Sequence, residues 1–164
     1  MPKPVSAGLL MHRVRGRQLE VLLVHPGGPY WAKKDAGAWS IPKGEVGSNE
    51  ELLAAAQREF TEETGLTPSG PYLPLGGVKQ RQHKVVYAWA FEGDCDPAAI
   101  VSETFEMEWP PRSGRMQAFP EADRAAFFTL PDARHKILAP QRRFLDELEA
   151  VVNGPRSAGA GDPP

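Results

Sequence analysis

Three glutamates carry the chemistry that is easiest to see in this chain: Glu59, Glu62 and Glu63. On a helix, positions i, i+3 and i+4 share one face. Three like charges there repel one another, and the negative end of the helix macrodipole adds to the cost. Local helix energetics asks for none of this. A hard divalent cation does, because it takes several carboxylate oxygens. The plainer alternative is a solvated acidic face. Arg58 stands beside the cluster, with Gly44 before it and Gly65 after it.

The stretch that positions these groups reads as a helix. Ser48 and Glu51 have the spacing of a capping box. Leu52, Leu53, Ala56 and Phe60 recur near helical spacing and give an apolar stripe. Gly65 ends the helix as a left-handed residue beyond its C-terminus.

From Gly44 to Leu66 the stretch resembles the Nudix box, G-x5-E-x7-R-E-U-x-E-E-x-G-U, where U is aliphatic or aromatic. Gly44, Glu50, Arg58, Glu59, Phe60, Glu62, Glu63, Gly65 and Leu66 fill every defined position. The resemblance implies a hydrolase that cuts a pyrophosphate bond with Mg²⁺ or Mn²⁺. It implies Glu59, Glu62, Glu63 and the Gly44 carbonyl as metal ligands, and Arg58 as the group that holds a glutamate in place. Glu50 takes a supporting role. Relatives differ in their general base. Glu59 is the first choice inside the box. Glu121, just ahead of the aromatic Phe127-Phe128 segment, is the choice outside it, and Glu103 comes next. Taken singly, each of these reads first as a surface carboxylate.

Composition bounds the rest. At 164 residues, with 41% apolar and 24% charged residues, the chain has the make-up of one globular domain. A net charge of −2 gives no general attraction to nucleic acid or membrane, so neither is expected as a partner, and a capped RNA end lacks a basic face to meet it. Cys95 is the only cysteine, which excludes an internal disulfide and suits a reducing, cytoplasmic setting. The longest apolar run, Val21–Val24, is far too short to span a bilayer. Many relatives dimerise, so a homodimer is in keeping with the family, although no segment marks an interface.

Along the chain, Val5–Val14 and Gln18–His25 read as a strand pair around a turn at Arg15-Gly16-Arg17. The loop after them places Tyr30 and Trp31 beside Lys33 and Lys34. Trp31, Lys33 and Lys34 can stack a base and contact phosphate, or Trp31 can pack back on the core with solvated lysines. Trp39–Gly44 reads as a short strand. Its Pro-Lys-Gly ending resembles the box entry of relatives acting on dinucleoside and inositol polyphosphates, which makes Lys43 a candidate phosphate contact.

Strands are expected at Leu73–Gln80 and His83–Phe91, the second central because both its faces are apolar. Lys79, Arg81, His83 and Lys84 surround the turn between them, facing either a polyphosphate or water. Phe105–Trp109 alternates as a strand, and Arg112–Glu121 reads as an irregular insertion. Ala125–Leu130 returns to a strand, Pro131–Lys136 to a helical turn, and Ala139–Val152 to an amphipathic helix. Residues 1–152 are expected to form a single Nudix hydrolase domain, with 153–164 as a flexible tail. The fold class is α/β, a Nudix-type α/β/α sandwich with a mixed sheet between helices. The expected substrate is a nucleoside diphosphate linked to another group, either a dinucleoside polyphosphate or a nucleoside triphosphate. The alternative is a Nudix-fold sensor that binds a nucleotide without cutting it.

Overall fold

A computed structural model describes residues 4–159. Its strands are β1 (Val5–Arg15), β2 (Gln18–Pro26), β3 (Lys43–Glu45), β4 (Leu73–Lys79), β5 (Val85–Glu92), β6 (Thr104–Glu108), β7 (Met116–Pro120) and β8 (Ala122–Thr129). Its helices are α1 (Leu52–Thr64), α2 (Leu130–Lys136) and α3 (Arg142–Gly159). The main sheet runs β4-β5-β1-β2-β8, and β3 pairs with β1 beyond the end of β2. β1 and β5 are parallel while the other pairs are antiparallel, so the sheet is mixed, as expected.

Period-two alternation sends the residues of β1 to opposite faces. Ala7, Leu9 and Met11 pack with Ala55, Ala56 and Phe60 of α1. Leu10 joins Val21 and Leu23 of β2 and Phe144, Leu145 and Leu148 of α3 on the other face. The result is the α/β/α sandwich. β5 lies between β4 and β1, and its two faces are apolar because both are covered: Val86, Ala88 and Ala90 join the core on the α3 side, and Trp89 and Phe91 that on the α1 side.

Several local expectations changed. α1 starts at Leu52 with Glu51 as its N-cap and no side-chain cap, so Ser48 and Glu51 do not form a capping box. Glu50 turns back instead, and its carboxylate accepts from Gly47 N–H at 2.8 Å. The helix end is as read: Gly65 has φ 77°, and its N–H donates to the Thr61 carbonyl. The expected strand at Phe105–Trp109 is present as β6, but it leaves the main sheet. Part of the expected irregular insertion, Met116–Pro120, is β7, paired with β6 so that Phe105 faces Phe119. α3 extends through Gly159, and residues 160–164 of the expected tail lie outside the described residues. No described helix is long and apolar enough to cross a membrane.

Candidate active site

Burying Ala55, Ala56 and Phe60 against the sheet fixes the rotation of α1, so its acidic residues meet β3 and the base of the β6–β7 hairpin. Arg58 gathers the carboxylates. Its Nε and Nη2 donate to the two oxygens of Glu50 at 2.8 and 3.0 Å, and its Nη1 donates to Glu59 and Glu62 at 2.8 and 2.9 Å. Nη2 also reaches the Glu45 carbonyl, tying helix to β3. The planar fork of a guanidinium suits this many-handed clasp, which a point-charge ammonium cannot reproduce. Arg58 holds the Glu50 carboxyl at about 2, with help from Gly47 N–H.

Gly44 lies directly beneath Glu59. A Cβ there would overlap the Glu59 carboxylate, so any side chain at the box glycine must push that carboxylate out of its place. Gly44→Ala is therefore expected to displace Glu59 and weaken Mn²⁺ binding about 10–100-fold, as losses of ligand support do. A calorimetric Mn²⁺ titration checks this, and an unchanged affinity would contradict it.

The hairpin completes the site. Glu103 N–H donates to the Glu62 carbonyl at 2.8 Å, and Glu121 N–H donates to the Glu103 carbonyl at 2.8 Å. These bonds draw the hairpin base onto the last turns of α1. The resulting cleft is about 350 Å³ and is lined by Glu45, Glu59, Glu62, Glu63, Glu103 and Glu121, with Lys43, Gly44 and Thr104. Thus Lys43, Gly44, Glu59, Glu62, Glu63 and Glu121 line one cleft, and Arg58 stands behind them.

Trp31, Lys33 and Lys34 are not among the lining residues. Trp31 packs against the core cluster on the α3 side, with Lys34 Nζ 5.1 Å from its ring centroid. The Lys34 carbonyl bonds to buried His25 Nε2 at 2.6 Å, which pins the loop. Sequence reading missed the lining positions Glu45 and Thr104, and also the approach of Lys84 to Lys43. Nothing local marks these, because strand pairing and the hairpin bring them in.

The electrostatics reflect crowded negative charge. Burial pushes Glu63 up to about 8; Glu59 and Glu121 add to this, while the Lys43 ammonium and N–H oppose it. Burial also raises Glu59 against the pull of Arg58, and raises Glu121 against that of Lys43. Lys43 itself is lowered by burial and then by Lys84, with Glu63, Glu59 and Glu121 pulling the other way.

A carboxyl raised in the folded state binds its proton more tightly folded than unfolded. Its contribution to stability is full below the ordinary value of 4.5 and is lost as pH rises through about 8. Metal-free protein is therefore expected to melt about 5 °C lower at pH 8 than at pH 5.5, and Mg²⁺ should flatten the slope. Melting curves in chelator and in Mg²⁺ test this, and a flat metal-free profile would refute it.

The donors are all oxygen, the choice of a hard cation. Among the described residues, no three acidic, His or Cys side chains already converge on a single cation point. Arg58 takes one oxygen each of Glu59 and Glu62. Such a set fits a cation that keeps most of its waters, as Mg²⁺ does.

The fold, the complete box and the cleft define a class, and sequence comparison agrees with it. The NUDIX domain family model matches residues 2–148, and the chain belongs to the Nudix family. It is by class a pyrophosphohydrolase. No curated protein matches the chain. Among solved structures it is similar to a Caenorhabditis elegans Ap4A hydrolase binary complex, at 22% identity and TM-score 0.62, over 92% of this chain and 98% of that one. It is also similar to the NUDIX domain of Shewanella oneidensis NrtR complexed with ADP ribose, at 16% identity and TM-score 0.63, over 93% and 90%. A MutT protein from Methanosarcina mazei Go1 matches at 21% identity and TM-score 0.59, over 93% and 96%. At these identities the structural likeness shows the fold.

Proposed function

We propose that the protein hydrolyses a phosphoanhydride bond in a nucleoside diphosphate linked to another group, with Mg²⁺ or Mn²⁺, in the cytoplasm. The observation that carries this reading is the convergence of Glu59, Glu62, Glu63, Glu103 and Glu121 on one cleft, with Lys43 on its wall. A divalent cation, when bound, would neutralise phosphate charge and make a water nucleophilic. Glu59, Glu62, Glu63 and the Gly44 carbonyl would hold it. Arg58 fixes Glu59 and Glu62 in place. Lys43 supplies an ammonium to phosphate oxygens. Glu121 is the better proton acceptor, because Glu59 is committed to Arg58 and packed on Gly44. A carboxyl raised by burial also lies nearer the working pH, as a general base should.

The Pro-Lys-Gly entry and the likeness to an Ap4A hydrolase favour a dinucleoside polyphosphate as substrate, ahead of a nucleoside triphosphate. The nucleotide-sensor reading draws on the likeness to the NrtR domain with ADP ribose. One experiment separates the two: a panel of nucleotides with Mg²⁺, followed by product identification. Release of a mononucleotide from a dinucleoside polyphosphate supports the proposal. Tight binding without turnover of any compound favours the sensor.

A further inference from the structure

The loop after β2 meets the base of the hairpin at Gly27, where no side chain fits. A Cβ on Gly27 would overlap the Pro120 carbonyl oxygen and stand 3.1 Å from Pro120 Cγ. The oxygen is main chain, so no rotamer change relieves the clash. Gly27 has no positive φ, so the need for glycine here is steric. The β2–β8 register shifts between His25 and Pro26, immediately before this contact. Gly28, the next residue, is required for a different reason: it has φ 97°, and a Cβ there would also lie 3.2 Å from Phe105 Cζ of β6.

From this contact a line of main-chain bonds leads into the cleft. Gly27 N–H donates to the Glu121 carbonyl at 3.1 Å, Glu121 N–H to the Glu103 carbonyl at 2.8 Å, and Glu103 N–H to the Glu62 carbonyl at 2.8 Å. Ser102 Oγ donates to the Ala122 carbonyl at 3.0 Å and locks the far side of the same turn. Three of the cleft's glutamates therefore have their backbones fixed by one relay, and Gly27 stands at its outer end.

We infer that Gly27 is a positioning residue: its bare Cα lets the Pro120–Glu121 main chain seat against the loop, which sets Glu121 in the cleft. The inference rests on the reading of Glu121 as proton acceptor given above. Adding a methyl group at Gly27 must push the Pro120 carbonyl away, and Glu121 moves with it. A misplacement of about 1 Å can cost a reaction about 10²-fold.

The test is a double-mutant cycle of Gly27→Ala with Glu121→Gln, using the substrate that the panel identifies. Gly27→Ala should lower kcat at least about tenfold, leave KM within about threefold, and still melt cooperatively. On the Glu121→Gln background it should cost less than about twofold, because residues acting as one unit are not additive. In ¹⁵N-labelled protein the Glu121 and Glu103 amide signals should shift in Gly27→Ala. Equal losses on both backgrounds, a loss confined to KM, or an unchanged kcat would overturn the inference. If Gly27→Ala does not melt cooperatively, Phe105→Leu replaces it in the same cycle, since that change loosens the adjoining Gly28 contact together with the Phe105–Phe119 packing of the hairpin base. A parent protein that turns over no compound overturns the hydrolytic reading itself, and the inference with it.

Discussion

Replacing Glu62 by Gln is expected to lower kcat about 10²–10³-fold while the protein stays folded. The side chain lines the cleft, and 32% of its surface is exposed. Gln keeps its length and one acceptor oxygen, so the change removes charge and little else. Folding loses one i,i+4 pair with Arg58, worth about 0.3–0.5 kcal/mol at such a site. Arg58 still holds Glu50 and Glu59. Catalysis loses much more, because a fixed negative charge at the cleft is what would hold a cation against a polyanionic substrate. Saturation kinetics across a Mg²⁺ series, with a melting curve of the same preparation, gives both numbers. Full activity in the variant would remove Glu62 from the site.

What could be read from sequence here, and what could not, divides by range. The Glu59, Glu62 and Glu63 face is fixed by helix geometry alone, so its chemistry was visible in the residues. The stop at Gly65 is equally local. The capping box at Ser48 is a local pattern that lost. Glu50 is drawn to Arg58 and Gly47 N–H, and the helix begins only at Leu52.

β7 was illegible for another reason. Met116–Pro120 has no clean alternation, and its strand form comes from pairing with β6. Glu121 was a candidate for its place ahead of an aromatic strand and Glu103 as the next carboxylate; what brings them to the cleft is the bond from Glu103 N–H to the Glu62 carbonyl and the next bond from Glu121 N–H to the Glu103 carbonyl. Gly27 reads in sequence as a breaker of regular structure, whereas in the fold its significance is the oxygen packed against it. Trp31 was readable either as a stacking platform or as a core residue, and Lys43 as a phosphate contact from its Pro-Lys-Gly setting; Trp31 packs on the core and Lys43 lines the cleft.

Replacing Arg58 by Met tests whether the clasp itself is needed. The side-chain volume is roughly kept and the charge is lost. Glu50, Glu59 and Glu62 would then face one another without their shared partner. Arg58 is partly exposed, so screening limits the loss of metal-free stability to about 1–2 kcal/mol. The sign with pH follows from the carboxyls. Burial already raises Glu59, and removing Arg58 raises it further, so protonation relieves the repulsion at low pH. The variant's deficit is thus expected to be small near pH 5 and largest near pH 8, and Mg²⁺ should recover part of it. Turnover should fall at least about 10²-fold, because Glu59 and Glu62 lose the fork that aims them. Arg58→Lys separates charge from geometry: it should restore most of the stability at pH 8 and little of the turnover, since an ammonium cannot span three carboxylates. Chemical denaturation in chelator at both pH values, with kcat measured in Mg²⁺, decides the matter. Equal stability of parent and Arg58→Met at pH 8 would mean that the clasp does not hold the site together.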